Sequence, residues 1–374
     1  MRQFQQLLRR VLVEGDVKTE PRTEVHTIGV SGHQYSVDLR RAFPLHTTRR
    51  IFPKFAAEEL FWKARGERAI GSLVERGVNY WTANAFQKSL QERGLEKEIP
   101  KHTQRWNDEL EDYKERLAKR EEDGDLGPVY GYQWRHWEKP ILVPGHNEGV
   151  EWVPEHWEIR EVDQLENLLK NLKDKNRKLG RYNILNAWNS ADIPDMALGP
   201  CPYWHQFTVY GEFLDLHVGQ RSCDTFLGVP YNDAQDSILA HMVAREVGLT
   251  PRFFYHTFND VHVYVGVPPR SDFWEDENNI REFQIRVNGA RKRDDFLFIR
   301  DWYLRNVPDE GGINKGKDHV PDALEQLSYA PKKSSRLELK GIPFMEAIQL
   351  PYREVLSVKG YNPHKWKTNS VMAA

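Results

Sequence analysis

The sequence contains little cysteine and almost no net charge. Its 374 residues include two cysteines, Cys201 and Cys223, and 53 Lys and Arg nearly balance 55 Asp and Glu. Two cysteines exclude a disulfide framework and favour a reducing compartment. A net charge of −2 gives no overall field that would attract nucleic acid or an anionic membrane. The sequence therefore predicts a cytoplasmic protein with no obligatory nucleic-acid partner.

Long apolar runs, glycine-rich phosphate loops and clusters of metal ligands are also missing. No stretch approaches the roughly eighteen apolar residues of a membrane-spanning helix, and residues 1–13 lack the apolar core of a signal peptide. No His or Cys residues stand at metal-ligand spacing. We therefore expect no membrane association and no metal.

Hydrophobic spacing predicts helices and strands in the same chain. Residues 4–12 carry apolar residues at helical spacing, typical of a surface helix packed on a core. The same spacing predicts one helix over residues 54–78, ending at Gly77, and another over 233–247. Residues 206–221 alternate on either side of a glycine turn and predict a hairpin. This mixture favours an α/β (α+β) fold.

Two charged stretches interrupt this pattern. Residues 87–123 are rich in Glu, Lys, Arg and Gln with sparse apolar residues, and we expect an exposed pair of helices there. Residues 270–325 mix charged and aromatic residues and include a polar loop. We predict a single domain over residues 1–374 with insertions at 87–123 and 270–325.

One part of the chain combines groups that can attack and hold a nucleotide. The thiol of Cys201 is a potential nucleophile, and a strand pairing with Arg221 would place a positive charge beside it. Arg221 and Ser222 can hold a phosphate through charge-assisted hydrogen bonds. Asn232 offers one acceptor and one donor, which complement the N3–H and O4 edge of uracil, whereas Asp would complement cytosine. Taken singly, a surface Arg-Ser pair and a turn Asn explain these residues equally well.

A second pair of polar residues lies further along. His262 and Tyr264 stand two residues apart on a predicted strand, so both side chains point the same way and could bind a sugar hydroxyl. Taken alone, this pair is more typical of packing.

The order of these residues, together with other strings, resembles the thymidylate synthase family. The most specific string is DGDLGPVYGYQWR at residues 123–135. The others are, in order, RT at 22–23, GHQ at 32–34, FPLHTTRR at 43–50, EELFW at 58–62, AWN at 187–189, MAL at 196–198, PC at 200–201, QRSCDTFLGVPYN at 220–232 and GYNPH at 360–364. The resemblance covers most of the chain.

The resemblance implies covalent chemistry on a pyrimidine nucleotide, dUMP. Cys201 would add to C6 of the base, and C5 would then attack the methylene of the co-substrate 5,10-methylenetetrahydrofolate. Glu59 and Tyr130 would assist the proton transfers, and Asn232 would steady the charge that develops on the base. Asp224 would complete the catalytic set.

The resemblance also implies binding residues, a fold and an assembly. It implies one α/β domain around a twisted mixed sheet, and a homodimer in which two sheets pack back to back. Each site would borrow Arg181 from the partner subunit. The implied substrate-binding residues are Arg22, Arg181, Gln220, Arg221, Ser222, Asn232, His262 and Tyr264, and the implied folate-binding residues are Trp81, Asp224 and Gly228.

Departures from the family pattern cluster near this predicted site. Pro202 replaces the usual His after the nucleophile, Gly219 replaces Tyr, and Tyr182 replaces the second residue of an Arg pair. The loop at 22–27 has lost its glycines and brings a carboxylate close to the phosphate. After Asn232 the sequence reads DAQD in place of IASY.

These departures favour deoxyuridylate hydroxymethylase, an activity of this family in viruses with modified DNA bases. Water rather than hydride would then reach the exocyclic methylene. Space left at Pro202 and Gly219 would hold that water, with Gln235, Asp236 or His205 as its polar partners. The alternatives are a thymidylate synthase, a dCMP hydroxymethylase, which Asn232 disfavours, and a non-catalytic member that binds nucleotide or RNA.

Overall fold

The structure, a computed structural model, describes residues 2–149 and 151–371. Its helices and strands are α1 (Arg2–Glu14), β1 (Asp16–Thr19), β2 (His26–Asp38), α2 (Pro53–Arg65), α3 (Gly71–Glu75), α4 (Thr82–Glu92), α5 (Gln104–Ala118), α6 (Gly131–Arg135), β3 (Trp137–Val143), β4 (His146–Glu148), β5 (Glu151–Val153), β6 (His156–Val162), α7 (Gln164–Lys173), β7 (Ile184–Asn186), β8 (Pro202–Tyr210), β9 (Phe213–Asp224), α8 (Gly228–Glu246), β10 (Thr250–Gly266), α9 (Glu277–Gly289), α10 (Arg293–Asn306), α11 (Val320–Leu327), β11 (Arg336–Leu339), α12 (Phe344–Ala347), α13 (Tyr352–Val355) and β12 (Leu356–Lys359).

A six-stranded mixed sheet organises these elements, in the order β1-β2-β10-β9-β8-β7. Strands β9 and β10 run parallel, and the other neighbours run antiparallel. Phe254, His256 and Phe258 of β10 are buried, while Phe253 and Tyr255 alternate with them and are half-buried on the other face. The predicted α/β class, with a mixed sheet and flanking helices, is confirmed.

The predicted hairpin and the predicted helix after it are both present. Strands β8 and β9 pair antiparallel, with Tyr210 opposite Phe213, and Gly211 takes a φ of 62° in the turn. Helix α8 begins at Gly228, earlier than the hydrophobic spacing indicates. Pro230 is tolerated there because the first turn of a helix has no intrahelical acceptor for its missing N–H.

The single helix predicted over residues 54–78 is wrong. Helix α2 ends at Arg65, and Gly66 follows it with a φ of 78° and donates its N–H to the carbonyl of Lys63. Only glycine adopts this left-handed conformation without strain, so the helix stops there. A separate short helix, α3, follows.

The N-terminal helix and the predicted insertion at 270–325 share one apolar cluster. Helix α1 buries Phe4, Leu7, Leu8, Val11 and Leu12 completely, as its spacing predicts. Helices α9, α10 and α11 pack on the same cluster against β2 and β10. This insertion is therefore part of the core on that side of the sheet.

The predicted insertion at 87–123 forms the expected helices, but they are not simply exposed. Trp106, Leu110, Tyr113 and Leu117 on α5 are buried. They join a cluster that also contains Trp81 and Tyr130 of the predicted site. The apolar residues are few, yet their spacing of three to four places them on one helix face. The insertion thus backs the wall of the site.

A β-arm formed by β3–β6 follows α6 and has no counterpart in the sequence predictions. Strands β3 and β6 pair over their full length, and β4 pairs with β5 between them. Trp152, Trp157 and Ile159 on the arm are 64–68% exposed.

Within the part of the chain that the structure describes, no helix is long and apolar enough to cross a membrane. No group of three His, Cys, Asp or Glu side chains in those residues is placed to hold a metal ion.

Candidate active site

A cavity of about 320 Å³ lies among α2, α4, the end of β9, the start of α8 and β10. All but one of the residues predicted for the site line it. These are Arg22, Glu59, Trp81, Tyr130, Cys201, Gln220, Arg221, Ser222, Asp224, Gly228, Asn232, His262 and Tyr264.

Cys201 lies at the entrance to β8, beside the phenol of Tyr130. The backbone N–H of Cys201 donates to the Tyr130 hydroxyl at 3.0 Å, and its carbonyl accepts the N–H of Arg221 at 2.9 Å. Tyr130 has a φ of 41°, a conformation that costs free energy for a residue other than glycine. Burial, with the nearby Cys201, raises the pKa of this phenol well above its ordinary value, so Tyr130 keeps its proton at neutral pH.

Arg221 and Ser222 line the same cavity as Cys201. The guanidinium of Arg221 donates from Nε to the carbonyl of Pro200 at 3.0 Å and from Nη2 to that of Gly199. It also lies over the ring of Trp188. These contacts fix the cation in one orientation, which suits the binding of an anionic group.

The loop that carries Arg22 is held from outside the cavity. Lys101 donates to the carbonyl of Arg22 at 2.9 Å, and His102 donates to that of Thr23 at 2.8 Å. Burial, and then the charge of Arg22, lower the pKa of Lys101 to about 8. The carboxylate of this loop that lines the cavity is Glu20, whereas Glu24 lines a neighbouring cavity together with Arg22.

Glu59 accepts hydrogen bonds on both carboxylate oxygens. Trp81 Nε1 donates to Oε1 at 2.9 Å, while the Tyr80 hydroxyl and Gln235 Nε2 donate to Oε2 at 2.7 and 2.9 Å. Lys63 Nζ lies 3.4 Å from Oε1. Burial raises the pKa of Tyr80 well above its ordinary value, and Glu59 adds to the rise, so Tyr80 remains a donor.

Sequence reasoning missed several residues that line the cavity. Lys63, Tyr80 and Tyr231 also line the cavity, and Gln235 holds both Glu59 and Lys63. One signal was available for Lys63, because a lysine four residues after Glu59 stands on the apolar face of a helix. Gln235 is 176 residues from Glu59 in the chain, and no local pattern links them.

His262 and Tyr264 line the cavity from β10. Asp260 contacts His262 Nδ1 at 3.3 Å, and this hydrogen bond is the largest cause that lowers the pKa of Asp260 to about 2. His262 Nε2 has no hydrogen-bond partner among the described residues. The imidazole is thereby oriented with one ring nitrogen available to a ligand.

The three residues predicted to face folate come from two sides of the cavity. Asp224 accepts the N–H groups of Phe226 and Leu227 at 3.0 Å and so shapes the turn into α8. A Cβ atom at Gly228 would lie 3.5 Å from Asp224 Cβ, so the glycine leaves this side of the cavity without a side chain. Trp81 packs edge-on against Tyr130, with 5.6 Å between ring centroids.

Arg181 is the predicted site residue that the structure does not bring to the cavity. It is exposed just before β7, and the neighbouring Tyr182 is 90% exposed.

Pro202 and Gly219 do not open the cavity. Gly219 pairs with Trp204 across β8 and β9, and a Cβ atom there would lie 3.0 Å from the Trp204 indole nitrogen. His205 and Asp236 form a buried contact at 3.0 Å. None of these residues lines the cavity, so the expected water-sized space at 202 and 219 is wrong.

Comparison with known proteins identifies the family of this chain. The sequence profile of the family described as thymidylate synthase matches residues 2–373. The chain is 38% identical over 265 residues to the thymidylate synthase of Equine herpesvirus 2, covering 70% of this chain and 79% of that protein. It is 34% identical over 270 residues to the thymidylate synthase of Mesoplasma florum, covering 71% and 82% of the two chains. The chain belongs to the thymidylate synthase family.

Proposed function

We propose that this protein methylates dUMP at C5, with 5,10-methylenetetrahydrofolate as co-substrate, and releases dTMP and dihydrofolate. The observation that carries the proposal is the arrangement of Cys201, Arg221 and Asn232 around one cavity. The relatives described above are named thymidylate synthases, which favours reductive methylation over hydroxymethylation.

Cys201 is the proposed nucleophile. Its thiolate adds to C6 of uracil, and the electron pair of the C5–C6 bond moves to C5 and O4. Asn232 donates to O4 and accepts from N3–H, which stabilises the enolate. Arg22, Arg221 and Ser222 hold the 5′-phosphate and fix the base relative to the sulfur, and His262 and Tyr264 take the sugar.

Glu59 and Tyr130 are the proposed groups for proton transfer. After C5 has bonded to the folate methylene, the hydrogen at C5 leaves as a proton. Glu59 is held by four donors at the cavity wall and can accept it directly or through water. Tyr130 remains a phenol and can exchange its own proton beside the sulfur.

The proposed folate site is the side of the cavity that Trp81, Asp224 and Gly228 line. The indole of Trp81 would pack against the folate, and Gly228 would leave room for it because glycine has no side chain. The carboxylate oxygens of Asp224 would accept hydrogen bonds from the N–H groups of the pterin. When bound, the co-substrate supplies the methylene carbon and a hydride, and its loss of that hydride yields dihydrofolate. The residues of this chain bind both substrates, orient them and exclude water from the cavity.

A homodimer accompanies this proposal. The face of the sheet that carries Phe253 and Tyr255 also carries Trp204, Phe213 and His217, all half-buried. A second sheet would cover these rings, in the isologous manner of a twofold dimer. Arg181 would then bind the phosphate in the site of the partner subunit.

A second candidate function, dUMP hydroxymethylation, has one observation in its favour. Lys63 and Gln235 surround Glu59 with polar groups and could hold a water molecule that Glu59 activates. That water would add to the exocyclic methylene, releasing tetrahydrofolate and 5-hydroxymethyl-dUMP.

Product analysis separates these functions. The protein is incubated with dUMP and 5,10-methylenetetrahydrofolate, and nucleotides and folates are quantified by mass spectrometry. Equal amounts of dTMP and dihydrofolate are expected. Hydroxymethylated nucleotide with tetrahydrofolate would establish the second candidate, and absence of any new nucleotide would overturn both. Cys201→Ala should abolish product, whereas Cys223→Ala should retain it.

A further inference from the structure

A buried polar network connects the core of the protein to Asn232. Asp233 Oδ2 accepts the Tyr35 hydroxyl at 2.6 Å and His46 Nε2 at 3.0 Å, while Oδ1 contacts His256 Nδ1 at 3.0 Å. The other nitrogen of His256 contacts Gln220 Oε1 at 2.9 Å. Asp233 and His256 are completely buried, and the roles described so far for the site use neither residue.

The acceptors around His256 determine where its protons lie. Gln220 Nε2 donates to the carbonyl of Ser222 at 2.9 Å, and a carbonyl can only accept, so the amide oxygen of Gln220 must face His256. His256 Nε2 therefore carries a proton and donates it to Gln220.

Asp233 accepts at the other nitrogen. Burial opposes charge on Asp233, but hydrogen bonds from His256 and His46 outweigh it and hold the pKa of this carboxyl below its ordinary value. Burial also lowers the pKa of His46, which leaves that ring neutral and able to donate from Nε2. With Asp233 as a carboxylate, its Oδ1 accepts the hydrogen bond of His256 Nδ1 at 3.0 Å.

The hydrogen bonds of Gln220 also fix the orientation of the Asn232 amide. The second N–H of Gln220 donates to Asn232 Oδ1 at 3.2 Å. If the Asn232 amide rotated by half a turn, its NH₂ group would face the NH₂ group of Gln220, and two donors would oppose each other. Asn232 therefore keeps its oxygen toward Gln220, with one lone pair of Oδ1 and the Nδ2 donors left for a ligand.

We propose that Asp233 and His256 are positioning residues that make the site select uracil over cytosine. They lock Gln220, and Gln220 locks the Asn232 amide in the orientation that accepts from N3–H and donates to O4. Cytosine presents an unprotonated N3 and an amino group, the reverse pattern, and only a rotated Asn232 amide could match it. An unlocked Asn232 would rotate and accept either base. This inference rests on the proposed function, since it takes a pyrimidine nucleotide as the ligand.

Equilibrium binding of dUMP and dCMP tests the selection without requiring turnover. In His256→Phe the ring keeps its place against Phe258 but loses both donors. Calorimetric titration should then show the ratio of the dCMP to the dUMP dissociation constant falling by about tenfold or more. The matched control is Tyr35→Phe, which removes one hydrogen bond from the same Asp233 but leaves the His256–Gln220 contact. Its ratio should equal that of the unmodified protein.

A ratio in folded His256→Phe equal to that of Tyr35→Phe would overturn the inference and leave the proposed function standing. Failure of the unmodified protein to bind dUMP would overturn the proposed function itself. Should His256→Phe not fold, nitrogen-15 NMR of the histidine rings in the unmodified protein decides. A protonated Nε2 on His256 supports the proposed donation from His256 to Gln220, and an unprotonated Nε2 refutes it.

Discussion

The ammonium group of Lys63 lies 3.4 Å from the carboxylate of Glu59, and both side chains are almost completely buried. Lys63 also donates to Gln235 Oε1 at 2.8 Å and lies over the Tyr130 ring, 4.2 Å from its centre. A buried ion pair leaves a costly isolated charge when one partner is removed. Lys63 therefore links the two residues proposed to move protons.

Replacement of Lys63 by methionine should slow the chemical step. The side chain keeps its length, but Glu59 loses the charge that balances it, and we expect kcat to fall about tenfold to a hundredfold with little change in KM for dUMP. Lys88→Met is the control, since Lys88 is also buried but pairs with Glu92 outside the cavity. Steady-state kinetics on both folded variants test this, and an unchanged kcat in Lys63→Met would remove Lys63 from the account.

The two cysteines should differ sharply toward a thiol reagent. Cys201 is half-buried at the cavity, whereas Cys223 is completely buried, and burial raises the pKa of the Cys223 thiol well above its ordinary value. Iodoacetamide should therefore label Cys201 first, and dUMP should slow that labelling. Peptide mass spectrometry over time gives both rates. Faster labelling at Cys223, or no protection by dUMP, would contradict the assignment.

Asp260 should contribute stability that acid removes. Its pKa is lowered to about 2 by the hydrogen bond with His262 and by Lys18, against an ordinary value of about 4. A depressed carboxyl pKa stabilises the folded state above the unfolded pKa, and this contribution is lost as the pH falls through about 4 to about 2. Asp260→Asn should thus have a lower urea midpoint at neutral pH.

The difference in midpoint should then shrink between about pH 4 and about pH 2. The exposed Asp112→Asn on α5 should match the unmodified protein throughout. A difference for Asp260→Asn that stays constant across this range would show that its charge does not matter to stability.

Sharing of Arg181 between subunits predicts complementation. Arg181→Ala should raise KM for dUMP strongly, and Cys201→Ala should be inactive. When equal amounts are unfolded together and refolded, mixed dimers hold one site with both groups, so about a quarter of the sites should be restored. Activity equal to the sum of the separate variants would place Arg181 outside the partner's site. Tyr182→Ala is the control for the exposed loop.

Most of the fold could be predicted from the sequence, but only some of the residues that line the cavity could be. Cys201, Arg221 and Asn232 lie in one short segment whose hairpin and helix follow from local spacing, so their proximity could be predicted. The contact between Lys63 and Gln235 could not be predicted, because it depends on the packing of α2 against α8. The alternation of residues along the strand predicts that His256 is buried, but it does not predict the hydrogen-bond partners of His256.

The expectation that Gly219 leaves space for a water molecule was wrong for a similar reason. A missing side chain indicates space only if its face of the strand is known, and the register of β8 and β9 sets Gly219 against Trp204. A shift of one residue exchanges the two faces of a strand. That register is fixed by the hairpin as a whole.

Trapping of the covalent adduct tests the central claim most directly. In 5-fluoro-dUMP the hydrogen that must leave C5 as a proton is replaced by fluorine, so the adduct cannot break down after C5 has bonded to the folate methylene. With 5-fluoro-dUMP and 5,10-methylenetetrahydrofolate, the intact mass should rise by nucleotide plus folate, on the peptide that contains Cys201. No stable adduct, or one on Cys223, would contradict attack by Cys201 at C6.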